Sequence, residues 1–276
     1  MFVKIAAVQF DCRPDEKIKN LAKAVELLEK AGRDNVNIAA LPMFFLSGQG
    51  ESWKKELVVK YAEPIPGPTT DALAEVAKKY KMCIVGGSIF EVEKGKYYHT
   101  CPILDPKGKL LGKYRSDHQT PARVAAGLSS GTEYPVFETE FGKIGVTVGG
   151  DLDFPEIPRV FAVKGADIVF WLANLPFQWI DVCRSLVNCY AFVNSAYYVV
   201  ANRTGIVEGV SYFGESRIVD PRGETLASAG TNLGGFCSES IVATIVDTEL
   251  LKEMRKKLGD FINRRKPETY KLLTKT

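Results

Sequence analysis

Seven short runs of this chain are apolar on both faces, and they limit the fold more than any other feature. They are "VKIAAVQF" (3–10), "VNIAALP" (36–42), "CIVGGSIF" (83–90), "KIGVTV" (143–148), "ADIVFWLAN" (166–174), "AYYVVANRT" (196–204) and "SRIVDP" (216–221). Successive side chains of a strand point to opposite sides, so a strand that is apolar throughout must be covered on both. Amphipathic segments between the runs supply cover. Residues 15–32 put Ile18, Leu21, Ala22, Val25 and Leu28 on one helical face, with Gly32 as the C-terminal stop. Residues 69–81 form a second helix after the Pro-rich approach "EPIPGP", which cannot be a helix interior. In 153–165, Asp153 and Glu156 stand at capping-box spacing and Pro155 fits the first turn. Residues 179–195 align Ile180, Cys183, Val187, Tyr190 and Ala191. The alternation predicts an α/β fold.

The pattern has an internal echo. "VKIAAVQF", a helix and "VNIAALP" recur as "GKIGVTVGG", a helix and "ADIVFWLAN". Strand–helix–strand is common enough for chance to produce this. The sharper reading is two similar α/β halves packed sheet to sheet, with a site between strand ends. No low-complexity linker divides the 276 residues, so a single domain over 1–276 is expected. Residues 252–276 are basic and polar, which predicts a C-terminal helix and an extended tail, either solvated or used as an oligomer contact.

Composition removes several functions. A net charge of +3 gives no case for a nucleic-acid partner. Cys12, Cys83, Cys101, Cys183, Cys189 and Cys237 include no CxxC pair, and His99 and His118 are the only histidines, so neither a metal nor another cofactor is expected. The mostly apolar surroundings of the cysteines suggest reduced, buried thiols. The opening "MFVKIAAVQF" has no signal-peptide pattern and no run reaches membrane-span length, so a cytoplasmic protein without a membrane partner is expected.

The stretch "KIGVTVGGDLDFPE" (143–156) runs a strand into a corner and then a helix start. Such corners often carry a nucleophile, but this one holds Gly149 and Gly150. Around it, landmarks follow in order: "KIAAVQF", "IAALPMFFLSG" (38–48), "AEPIPGPTTDALAEVAKKYKMCIVGGS" (62–88), "LDPKGKLLGKYRSDH" (104–118), "GTEYPVFETEFGKIGVTVGGDLDFPEIPRVFAVKGADIVFWLAN" (131–174), "AYYVVANRTG" (196–205), "FGESRIVDPRGETLASAG" (213–230) and "RRKPETY" (264–270). In this ordered set the chain resembles the nitrilase superfamily of carbon–nitrogen hydrolases over almost its whole length.

The resemblance implies a four-layer α-β-β-α sandwich with two related halves, and a homodimer or higher homo-oligomer. It also implies a Glu-Lys-Cys site. The thiolate attacks an amide or nitrile carbon, the glutamate moves protons, and the lysine with a backbone N–H steadies the developing charge. Residue by residue, the match fails at all three positions. The base follows "LP" in the family; here Leu41-Pro42 leads to Met43. The lysine follows "YR"; here Tyr114-Arg115 leads to Ser116, with His118 in place. The nucleophile position is Gly149, followed by Gly150 and Asp151. Residues 119–132 contain no carboxylate in place of the further glutamate that many members carry.

Several roles remain open. Met43 serves as an apolar pocket wall or as core filling. Gly149 and Gly150 widen a pocket floor or meet a turn's backbone demand, and the two are compatible. Asp151 suits a helix-start hydrogen bond better than catalysis. His118 is a base in principle and otherwise a structural hydrogen-bonding group; Ser116 with His118 as a nucleophile pair lacks an orienting acid. Asn174, Asn202 and Arg203 fall near strand ends around the pocket, with structural hydrogen bonding as the alternative. Trp171, Phe177 and Trp179 line a pocket mouth or fill core. The leading expectation is a homologue without the triad that binds a small carbonyl or amine compound or acts as an oligomeric partner, leaning away from enzyme. The alternatives are a divergent amide, nitrile or carbamoyl hydrolase using other residues, and a deliberately inactivated hydrolase.

Overall fold

A computed structural model describes residues 1–230, 239–257 and 261–274. The first half runs β1 (Phe2–Gln9), α1 (Lys17–Arg33), β2 (Ile38–Ala40), α2 (Lys55–Tyr61), α3 (Pro68–Tyr80), β3 (Cys83–Val85), β4 (Ile89–Glu93), β5 (Lys96–Leu104), β6 (Leu110–Arg115), α4 (Pro121–Ala125) and β7 (Leu128–Ser129). The second continues with β8 (Val136–Thr139), β9 (Gly142–Val148), α5 (Glu156–Val163), β10 (Ile168–Ala173), α6 (Ile180–Asn194), β11 (Tyr197–Asn202), β12 (Thr204–Val207), β13 (Val210–Phe213), β14 (Arg217–Val219), β15 (Thr225–Ser228), β16 (Ser240–Asp247) and α7 (Thr248–Lys257).

Two large sheets result. One is ordered β16-β1-β2-β3-β5-β4, with β6 and β7 also on β5; the other is ordered β15-β14-β11-β10-β9-β8. The alternation of side chains along the central strands sorts them into layers. Val3, Ile5 and Ala7 of β1 meet Ile144, Val146, Phe170 and Val199 of the other sheet in one core. The opposite faces of β1 and β2, with Ala6, Val8 and Ala39, pack on Ala24, Leu28, Leu73 and Ala77 of α1 and α3. Val169, Trp171, Tyr198 and Val200 pack in the same way on Ile157, Phe161, Val187 and Ala191 of α5 and α6. Three cores separate four layers, giving the α-β-β-α sandwich.

The internal echo is a matter of wiring as well as spelling. The Asn37 N–H donates to the Lys4 carbonyl at 2.7 Å, and the Asp167 N–H donates to the Lys143 carbonyl at 2.7 Å. Each acidic or amide side chain returns the bond, Asn37 Oδ1 accepting from the Lys4 N–H at 2.8 Å and Asp167 Oδ2 from the Lys143 N–H at 3.1 Å. In both halves three strands run parallel around a common centre, β1-β2-β3 and β9-β10-β11.

Some local expectations need correction. The run 83–90 is two strands, because Gly86 and Gly87 break it. The buried face of α1 carries Asn20, Ala24, Leu27, Leu28, Ala31 and Gly32, while Ile18 is 85% exposed. The reason is Asn20, whose amide donates to the Arg13 and Leu46 carbonyls and turns the helix toward them. Gly32 lies inside α1 rather than at its stop; a β-carbon there would come within 2.3 Å of the Tyr80 ring, so glycine permits the close approach of α1 and α3. Asp153 ends a 3-10 turn, Gly149–Asp153, and α5 begins without a side-chain cap. In the C-terminal segment, Pro267–Thr269 and Lys271–Thr274 are short 3-10 turns rather than extended chain. Cys237 lies outside the described residues. Among the described residues, no helix is long and apolar enough to cross a membrane.

Candidate active-site cleft

The C-terminal ends of parallel strands from both sheets open into one cleft of about 930 Å³. Ligand sites favour such strand ends. Met43 enters three residues after β2, Gly149 directly after β9, and Asn174 directly after β10. The Met43 side chain is 3% exposed and belongs to the core between the sheets while also lining the cleft.

Gly149 has φ +55°, the left-handed region that side chains disfavour. Its carbonyl accepts the Trp171 indole N–H at 2.9 Å, which anchors the corner to β10. A β-carbon at Gly149 would stand 2.9 Å from Met43 Sδ. The two positions therefore meet, and what meets is a thioether and a backbone. Gly150 continues the cleft wall beside Asp153.

Asp151 is fully buried and is not part of the cleft lining. It accepts the Tyr114 hydroxyl at 2.8 Å and the His118 backbone N–H at 2.8 Å. Burial, then the Asp151 charge, pushes the Tyr114 hydroxyl pKa well up, so it stays a donor. The His118 ring stacks on Phe154 at 3.6 Å, with Nδ1 3.4 Å from Asp151. Ser116 is buried; its N–H donates to the His99 carbonyl and its own carbonyl accepts from Gly131 and Gln119. Its hydroxyl has no partner among the described residues, and no hydrogen bond joins it to His118. The pair has no nucleophile–base geometry.

Asn202 and Arg203 are framework. Asn202 Oδ1 accepts the Leu175 N–H at 3.0 Å and Nδ2 donates to the Gly214 carbonyl at 2.8 Å. The Arg203 guanidinium, fully buried over the Tyr212 ring, donates to the carbonyls of Cys12, Gly48 and Gln49. Asn174 lines the cleft and donates to the same Gln49 carbonyl at 3.2 Å. Trp171 lines the floor; Phe177 and Trp179, 42% and 49% exposed, stand at the mouth.

Cys183 also lines the cleft, but burial pushes its thiol up to about 12 against the opposing charges of Arg217 and Arg184. At neutral pH it is a thiol, the unreactive form. Among the described residues no group of three or more His, Cys, Asp and Glu side chains is placed to hold a metal ion.

Sequence reasoning missed the charged wall: Arg123, Asp153 and Glu51. Arg123 sits on α4, which Thr120 caps by accepting the Arg123 N–H and which Pro121 starts. The Thr-Pro pair was a readable helix-start signal. The segment 119–132 lacks a carboxylate and contributes a cation instead.

Fold and cleft together define a nitrilase-type sandwich with its site at the strand ends. The carbon–nitrogen hydrolase family model matches residues 4–256, and the chain belongs to that family. It is similar to omega-amidase NIT2 of Xenopus tropicalis, 33% identical over 270 residues that cover 92% of each chain. Human omega-amidase NIT2 is 32% identical over 264 residues, 90% of each chain. Among solved structures, Saccharomyces cerevisiae Nit3, a member of branch 10 of the nitrilase superfamily, superposes with a TM-score of 0.82 at 28% identity, covering 94% of each chain. A carbon–nitrogen hydrolase from Helicobacter pylori G27, at 21% identity, shares the fold with a TM-score of 0.85 over 100% of this chain and 99% of its own.

Proposed function

We propose that this chain is a non-catalytic carbon–nitrogen hydrolase homologue that retains the cleft as a small-molecule binding site, with Met43, Ser116 and Gly149 standing where a base, a cation and a nucleophile would act. The observation that carries the reading is that Met43 Sδ stands 2.9 Å from where a β-carbon on Gly149 would lie, so a thioether faces bare backbone at this corner. A thioether does not take a proton at neutral pH, and a glycine offers no atom to attack a carbonyl. Groups that act as one catalytic set are not additive: losing one costs several orders of magnitude and losing the others adds little. His118, turned onto Asp151 and Phe154, does not replace the base, and the protonated Cys183 does not replace the nucleophile. The test is ammonia release by the repeatedly purified protein from ω-amides, nitriles and N-carbamoyl compounds. No release above the blank is expected; turnover that persists at constant specific activity through purification overturns the reading.

Similarity to omega-amidases over 92% of the chain favours one alternative, a divergent hydrolase of the same bond class. An electrophilic probe separates the two. The alternative predicts fast labelling at one cleft residue; the leading reading predicts slow labelling at the exposed Cys189 alone among the described cysteines. A homodimer or higher homo-oligomer belongs to the same proposal, and light scattering measures it.

A further inference from the structure

Arg123 is the feature of the cleft that catalysis lost or kept does not explain. It is 9% exposed. Several other arginines are engaged: Arg115 with Glu91 and Glu93, Arg184 and Arg217 with Glu215, Arg203 with three carbonyls, Arg255 with Asp167; Arg159, whose Nη1 is also buried without a partner among the described residues, does not line the cleft. Among the described residues no hydrogen bond or ion pair reaches the Arg123 guanidinium, which stacks over the Trp53 ring at 4.9 Å from its centroid. A β-carbon on Gly149 would lie 3.5 Å from its Nη2, so the guanidinium and the corner share the same floor. Burial lowers its pKa, with the more distant charges of Asp151, Glu51 and Asp153 opposing. A guanidinium taken out of water without an anion is costly, and it presents a planar donor fork suited to a carboxylate.

The geometry points to a carboxylate site: the cleft takes a small monocarboxylate held by the Arg123 guanidinium above Gly149, its tail directed along the wall of Asp153 and Glu51. The two wall carboxylates set the rest of the preference. Neither lies within ion-pair distance of Arg123, and burial, together with the Asp151 charge, raises the Asp153 pKa against the opposing Arg123. A second negative charge on the ligand is repelled there, whereas a neutral or ammonium tail is accepted. This rests on the proposal that the cleft is a ligand site, and it names the chemistry that the site selects.

Titration calorimetry on the full chain tests it with butyrate, 4-aminobutyrate and butyramide, which differ in charge and little in size. The two carboxylates are expected to bind at least about tenfold more tightly than butyramide, the usual scale for a hydrogen bond to a charged group. Arg123→Met should remove that advantage and leave butyramide unchanged; Arg123→Lys should keep part of it. Equal affinity for butyrate and butyramide in the unsubstituted protein, or no carboxylate binding at millimolar concentration, overturns the assignment without need of a variant. Ammonia release from butyramide in the same samples would instead overturn the non-catalytic reading and leave the carboxylate preference measurable.

Discussion

Met43 Sδ lies 2.9 Å from the place a β-carbon on Gly149 would occupy, and the Met43 methyl carbon lies 3.1 Å from it. The two positions are thus sterically coupled. Gly149→Cys should lower stability by about 1–3 kcal/mol, from the left-handed backbone and overpacking. Combined with Met43→Ala, part of that loss should return, as a coupling of about 1 kcal/mol in a double-mutant cycle followed by urea denaturation. Strict additivity would show that the contact does not govern the site.

Arg203 joins the second half to the first through the carbonyls of Cys12, Gly48 and Gln49. Arg203→Met takes this donor from the Cys12 and Gly48 carbonyls, while Gln49 keeps the Asn174 amide. Stability should fall by about 2 kcal/mol or more, given roughly 1–3 kcal/mol per buried unsatisfied group. The denaturation midpoint measures it, and a loss under about 1 kcal/mol would contradict a framework role.

His99 is fully buried, bonded to Ser88 Oγ at 2.6 Å and stacked on Phe44 at 4.0 Å. Burial first, then the Arg123 charge, holds its pKa well below the ordinary 6.5. Below that pH the unfolded chain binds a proton that the folded chain refuses. The stability contributed by the neutral ring is therefore complete above 6.5 and is lost as pH falls, by up to about 1.4 kcal/mol per pH unit. Guanidine denaturation between pH 7.5 and 5 should show this slope, and His99→Gln should flatten it. An equally steep slope in the variant assigns the effect elsewhere.

Gly32→Ala offers a change of sign. In an exposed helix interior the substitution stabilises by about 1 kcal/mol. Here the new methyl enters the Tyr80 ring, so the thermal midpoint should fall, by the equivalent of about 1–3 kcal/mol. In a Tyr80→Ala background the loss should shrink without changing sign, because the ring is gone but the residue-80 β-carbon would still lie 2.6 Å from the new methyl.

An α/β fold with doubly covered strands was legible because runs such as "KIGVTV" and "ADIVFWLAN" are apolar on both faces; the four-layer order came from the family resemblance, with which the internal echo agrees. The buried face of α6, with Cys183, Val187, Tyr190 and Ala191, followed from period alone. The face of α1 did not, because its orientation is decided by a polar residue, Asn20, whose bonds are to carbonyls distant in sequence. The same applies to the cleft. Gly149, Met43 and Asn174 fall where the family pattern places strand ends. Ser116 and Asp151 sit in the right segments but do not line the cleft: Tyr114 and His118 hold the Asp151 carboxylate, and Gly131 holds the Ser116 carbonyl. Asp153 has the spelling of a helix cap, but the 3-10 turn before it carries the side chain to the cleft wall. Arg123 belongs to no period, and only three-dimensional proximity brings it to Gly149.

The Gln49 carbonyl accepts from both Asn174, in the cleft wall, and Arg203, in the tie between halves. One acceptor serving both makes the jaws of the cleft a single rigid bracket. Spreading them would strain the bonds that tie the segment after β2 to the residues following β10 and β11. On the proposed function, a guest would enter by side-chain swings at the rim, where Phe177 and Trp179 are exposed, and residence time should answer to those two rings rather than to any hinge between the halves.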